Sequence, residues 1–210
     1  MDRRPFVRAV LTRCRHSLEE LGFEYLGRSW YEIMLTSETR GLVALPSTTY
    51  RDDPCVYVNP SIGVRHEALD KLISGLSGRS DSKYAAATIS LALGYATAGK
   101  TFKSFVFCPG VDIEPIIKHL KVDISQDGMT WLREHADLET MGRDLRDLKN
   151  VTRDRARFNL PAALFLLGDL KGARSEIQRG LAELSNTENL YAEQYRTFAA
   201  AFLELPPLRS

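Results

Sequence analysis

Phe23 to Val64 reads FEYLGRSWYEIMLTSETRGLVALPSTTYRDDPCVYVNPSIGV, and this run decides the fold class. From Phe23 to Thr36 it is rich in aromatic and β-branched residues. Tyr25, Tyr31, Ile33 and Leu35 fall on one parity, the period of a strand with one buried face. Ser37-Glu38-Thr39 supplies a turn, Arg40–Tyr50 a second strand, Arg51-Asp52-Asp53-Pro54 a second turn and Cys55–Val64 a third strand. Pro60 lies inside that third run. Proline removes a ladder donor, so the strand is expected to be at an edge, bulged or broken there. Short turns between consecutive strands favour antiparallel pairing.

The flanks are helical. Phe6, Val7, Val10, Leu11, Cys14, Leu18 and Leu21 recur at helical spacing, with Pro5 suited to a first turn and Gly22 to a C-terminal stop. Arg65–Leu76 carries an apolar stripe of Leu69, Leu72, Ile73 and Leu76. Residues 77–83 read as a loop, 87–96 and 103–108 as two more strands. Beyond residue 110 strand signals stop. Segments 113–120, 128–135, 138–148, 158–167, 171–184 and 190–205 read as helices. The expectation is an α+β fold: a mainly antiparallel sheet with helices in the N-terminal half, then an all-α C-terminal half. The expected division is an α+β domain over 1–110 and a helical region over 111–210.

Composition narrows function. The 210 residues carry 28 Lys+Arg against 27 Asp+Glu, a net charge of +1, with 44% apolar residues. That balance argues against a dedicated non-specific nucleic-acid binder and against disorder of the whole chain. No apolar run reaches the length of a membrane span, so no membrane partner is expected. Arginines interrupt residues 6–15 too often for a secretory h-region. Cys14, Cys55 and Cys108 form an odd, widely spaced set without CxxC. They read as buried small hydrophobes in a reducing, cytoplasmic setting.

Signatures of chemistry are sparse. His16, His66, His119 and His135 do not fall at ligand spacing, so no metal is expected. No GxSxG occurs, and Asp52/Asp53 sit in a turn. Arg65-His66-Glu67 opens a helix, where a histidine near a sheet edge is able to act as an acid or base, although Glu67 more simply complements the helix dipole. Gly94-Tyr-Ala-Thr-Ala-Gly99-Lys100-Thr101 satisfies GxxxxGK[ST]. A phosphate cradle needs that loop to open a helix, and Phe102–Pro109 reads as strand. The preferred reading is a hairpin, with a nucleotide-binding enzyme using 94–101 as an alternative and no cofactor expected.

Charge is uneven. Residues 111–139 hold seven acids against three bases, and 140–179 nine bases against five acids. The acidic segment is the expected partner-binding surface: Asp112, Glu114, Asp123, Asp127, Glu134, Asp137 and Glu139, with Trp131. Trp30, near Tyr25 and Tyr31, is a second aromatic anchor if exposed.

Two resemblances follow. Leu164 to Leu184, with Gly168-Asp169 at a turn and Ala173 allowing close approach, is similar to a tetratricopeptide helix hairpin; one copy reads as a single hairpin. It suggests an intracellular helical adaptor as a further alternative, with a groove lined by Asn159, Arg174 and Arg179. Leu21-Gly22-Phe23, then Gly27 and Trp30, then Val56-Tyr57-Val58-Asn59-Pro60-Ser61-Ile62-Gly63-Val64 resembles a family of small bacterial α+β domains of the toxin-immunity type, over about residues 6–77. That resemblance implies a non-enzymatic, cytosolic immunity protein or antitoxin that occludes a cognate protein toxin, and no direct contact with nucleic acid.

Overall fold

The computed structural model describes residues 3–78 and 86–206. The elements run α1 (Arg4–Glu19), β1 (Glu24–Gly27), β2 (Trp30–Met34), β3 (Thr39–Ala44), β4 (Ser47–Thr49), β5 (Val56–Val58), β6 (Ser61–His66) and α2 (Glu67–Ser77). They continue with β7 (Ile89–Ala92), the single turn α3 (Leu93–Ala96), β8 (Phe105–Phe107) and α4 (Glu114–Asp123). A π-helical turn over Ile124–Gly128 leads into α5 (Met129–Glu134), followed by α6 (Leu138–Arg146), α7 (Arg153–Leu166), α8 (Leu170–Glu183) and α9 (Leu190–Leu203). The fold is α+β, with the strands in the N-terminal half and 153–203 all helical. Among the described residues no helix is long and apolar enough to cross a membrane.

Each of the three expected long strands is in fact two elements. The first is a hairpin turning through Arg28 (φ 51°) and Ser29 (φ 65°). Two consecutive left-handed residues give the mirror-image turn whose twist suits a hairpin. The second breaks at Leu45-Pro46 and the third at Asn59-Pro60, where proline withholds the ladder donor as expected. These breaks send β4 and β5 into a separate sheet. One sheet has the order β1-β2-β3-β6-β7 and the other β4-β5-β8. The pairs β1/β2, β2/β3, β4/β5 and β5/β8 are antiparallel. The expected strand 87–96 ends at Ala92 and becomes the turn α3. Of the expected loop 77–83, Ser77 closes α2 and Gly78 caps it in the left-handed region; the rest lies outside the described residues.

The chain forms two compact units that are interleaved in sequence. Unit 1 combines the chain up to Val64 with Ser90–Glu134, and unit 2 combines Arg65–Ile89 with the chain from His135 onward. In unit 1, α1 buries Val10, Cys14 and Leu18, one helical face at intervals of four, and its core also holds Leu42, Val58, Phe107 and Leu120. Cys55 and Cys108 are joined by a disulfide with a Cα–Cα distance of 4.2 Å. This corrects the cysteine reading: only Cys14 is a free, buried thiol, pushed up to about 12 by burial.

Unit 2 is organised around α7, whose Ala156, Leu160, Ala163 and Leu164 are buried. Phe158 meets Tyr195 edge-on at 5.2 Å and Phe198 at 5.0 Å, and Phe165 meets Phe202 at 5.6 Å, arrangements worth about 0.5–1.5 kcal/mol each beyond their area. The hairpin α7–α8 turns at Gly168 (φ 83°), and the Asp169 carboxylate caps α8 by accepting from the Gly172 N–H at 2.8 Å. The Asn159 amide donates to the Thr88 carbonyl at 3.3 Å and the Arg155 guanidinium to that of Ala87 at 2.6 Å. These bonds tie 87–88 to α7.

Candidate functional site

In unit 1 one helix face and a β-hairpin together line a cleft of about 470 Å³. Arg4, Arg8, Leu11 and Arg15 follow one another at intervals of four, three and four, so they share a face of α1. Arg3 adds a fourth guanidinium, Tyr25 and Tyr31 come from the hairpin, and among the described residues no acidic side chain lines the cleft.

The hairpin register places Tyr25 opposite Tyr31, with ring centroids 5.2 Å apart. Tyr31 is buried, which pushes its phenol up, whereas Tyr25 is 41% exposed. The Arg15 guanidinium lies 4.3 Å over the Tyr25 ring and also donates to Glu19 at 2.7 Å. Arg3 donates to the backbone carbonyls of Tyr50 and Arg51, the latter at 2.7 Å. Arg8 is exposed and makes no hydrogen bond or ion pair among the described residues. Helix stability does not explain this placement. The first turn of α1 carries no acid, and Arg3 and Arg4 face the positive end of the helix dipole, where a cation costs about 0.3–1 kcal/mol.

The acidic segment does something else. The Asp112 carboxylate accepts from the Glu114 N–H at 3.0 Å, and the Asp137 carboxylate accepts from that of Thr140 at 2.8 Å, capping α6. Glu114 is paired with Arg13 of α1. Asp123 is 7% exposed, paired with Lys103 and 3.4 Å from His119. Trp131 is 8% exposed in the core, and Trp30 is half-buried in β2. Asp127 is half-buried in the π-helical turn, while Glu134 and Glu139 are exposed. The segment is also shared between units, with Asp137 and Glu139 in unit 2 and the others in unit 1. Asp112 and Asp137 thus accept from local backbone, Glu114 and Asp123 form ion pairs and Trp131 packs in the core, while Glu134 and Glu139 stay exposed.

The loop 94–101 keeps its GxxxxGK[ST] spacing but not the context. Residues after Thr101 run into β8, and Lys100 has φ 44°. Gly94 is needed for packing: a Cβ there would lie 2.1 Å from the Thr101 carbonyl oxygen. The three residues of the expected adaptor groove are splayed. Asn159 is buried, Arg174 lines a crevice with Phe165 and Phe202, and Arg179 lines a different cleft with Arg157. His66, the acid–base candidate, is 5% exposed. Among the described residues no group of His, Cys, Asp and Glu is placed to hold a metal ion.

Comparison of the chain with protein-family models, with curated proteins and with solved structures finds no match.

Proposed function

We propose that this protein works by binding another protein, and that the arginine–tyrosine cleft of unit 1 is where the partner docks. One observation carries this reading: four arginines and two tyrosines converge on a cleft that no carboxylate of the described residues lines. Arginine and tyrosine dominate binding hot spots because each combines a large contact area with directed hydrogen bonding. The charge calls for an acidic surface, and it reverses the expectation that this chain supplies the acidic side. Within this class, the resemblance of residues 6–77 to toxin-immunity domains favours a toxin whose acidic patch is covered here. The Cys55–Cys108 bond removes the cysteine argument for a cytoplasmic location and suits an oxidising compartment.

The test is growth rescue. A toxin gene is expected beside this one, and cells producing that toxin are expected to survive only when this chain is co-produced. The Arg8→Glu, Arg15→Glu pair is expected to weaken the purified complex by roughly 30-fold or more, about 2 kcal/mol, and to abolish rescue while the melting temperature stays within a few degrees. No rescue by the wild type, rescue undiminished by the pair, or binding of duplex nucleic acid in place of protein would each overturn the proposal.

A further inference from the structure

A second arginine cluster lies in unit 2 and has no part in the reading above. Arg153 and Arg157 on α7 are four residues apart, and Glu176, Arg179 and Glu183 on α8 recur at intervals of three and four. Two helix faces and the end of α6, which supplies Arg146, thus bound one cleft of about 170 Å³. The buried side chains of Leu145, Ala156 and Leu160 line the rest.

The charges in this cleft do not cancel. Arg157 donates to Glu183 at 2.8 Å and 3.2 Å, to Asp154 at 3.0 Å and to the Tyr191 hydroxyl at 3.3 Å. Arg179 is paired with Glu176. Arg146 and Arg153 are exposed and make no hydrogen bond or ion pair among the described residues. Arg157 and Arg179 are thus taken up by carboxylates, and Arg146 and Arg153 are the two lining guanidiniums left without an ion pair among the described residues. The field is concentrated as well as positive. The Glu183 carboxyl is held below its usual range first by the hydrogen bond from Arg157, then by the fields of Arg157, Arg153 and Arg179.

The backbone at the rim is unusual. Leu148, which lines the cleft, and Asn150 both sit in the left-handed region, at φ 53° and 57°. The αL conformation costs a non-glycine residue roughly 1–2 kcal/mol, and such strain concentrates where a site is being shaped. Here it is held by the Asp144 carbonyl accepting from the Lys149 N–H at 2.8 Å and by the Asn150 amide donating to the Asp144 carboxylate at 3.3 Å.

We propose that this cleft binds a small molecule through a phosphate monoester dianion, held between Arg146, Arg153 and Arg179. The two guanidiniums without an ion pair, Arg146 and Arg153, match a dianion and exceed what one carboxylate neutralises. Guanidinium forks arriving from three helices suit a tetrahedral group with three free oxygens better than a planar one. The volume of about 170 Å³ lies below the range of drug-sized pockets, so the ester's organic part is small.

The full-length protein is to be titrated with sodium phosphate and with O-phosphoserine at about pH 7.5, followed by NMR, with ionic strength held constant by sodium chloride. Saturable shifts confined to Arg146, Arg153, Arg179 and their neighbours are expected, with a Kd of about 1 mM or below. O-phosphoserine binding tighter than phosphate assigns the site to an ester. The Arg146→Gln, Arg153→Gln double variant removes none of these ion pairs and is expected to keep its melting temperature while losing at least about tenfold in affinity. Affinity falls again at about pH 5, where the ester is a monoanion. No saturation, equal shifts with chloride alone, or unchanged affinity in the double variant would overturn the assignment.

Discussion

Reducing the Cys55–Cys108 bond is expected to destabilise unit 1 by about 4 kcal/mol, the chain-entropy value for a loop of this size. The bridge spans a sequence separation of 53 and lies one residue beyond the Val56↔Phe107 pair at the end of the β5–β8 ladder. That sheet is built from three strands of three residues each. Strands this short hold few ladder bonds and rely on whatever fixes their ends. At roughly 2–4 °C per kcal/mol for a chain of this size, melting of this unit is expected to fall by about 10 °C in reductant. Cys55→Ser with Cys108→Ser should reproduce the loss without reductant. Thiol counting checks the premise: of three cysteines, the unfolded, unreduced protein should expose only Cys14. Three reactive thiols, or a melt indifferent to reductant, would contradict the expectation.

Gly94→Ala is expected to destabilise by roughly 3 kcal/mol, at the upper end of ordinary overpacking. The added methyl would sit 2.1 Å from the Thr101 carbonyl oxygen and 2.8 Å from the Lys103 amide nitrogen. Both are backbone atoms of the segment entering β8, so relief requires moving the chain rather than rotating a side chain. Gly75→Ala is the matched control. Gly75 lies inside α2, and a methyl there meets nothing within 4 Å. That change should stabilise by about 0.5–1 kcal/mol, from helix propensity and the reduced entropy of the unfolded chain. Denaturant midpoints of the two variants should therefore move in opposite directions. A neutral Gly94→Ala would mean that the 94–103 segment gives way, which the tight approach argues against.

What the sequence reveals here is what short range determines. The stripes of α1, α2, α8 and α9 and the turn at Gly168 follow from periodicity and local conformational cost. Pro60 marks a break because its missing donor acts at its own position. The Arg28-Ser29 turn is hidden because neither residue carries the Asn-Gly or Asp-Gly signal of a tight hairpin. The disulfide is hidden for a different reason: Cys55 and Cys108 become neighbours only through β5 pairing with β8, a contact no local pattern encodes. The arginines of α1 are legible as a face, since Arg4, Arg8 and Arg15 keep helical spacing, yet between apolar residues they read first as interruptions of a leader segment. The roles of Asp112, Glu114, Asp123 and Asp137 are hidden because capping and pairing are invisible until a helix start or a basic partner is placed beside them.

The interleaving of the two units sets the order in which a nascent chain can finish them. Unit 1 is incomplete until Glu134 has emerged from the ribosome, although its first strands are made long before. Meanwhile α2 waits with its apolar stripe uncovered, because α7 and α9, the helices it packs against, come last. Translation arrested between those points leaves an intermediate with sticky surface, the kind of species chaperones hold. Cutting this gene into halves at residue 110 would strand α2 in the wrong fragment. Dissection by truncation is therefore expected to give aggregates, and complementation between fragments would have to respect the way the chain is woven.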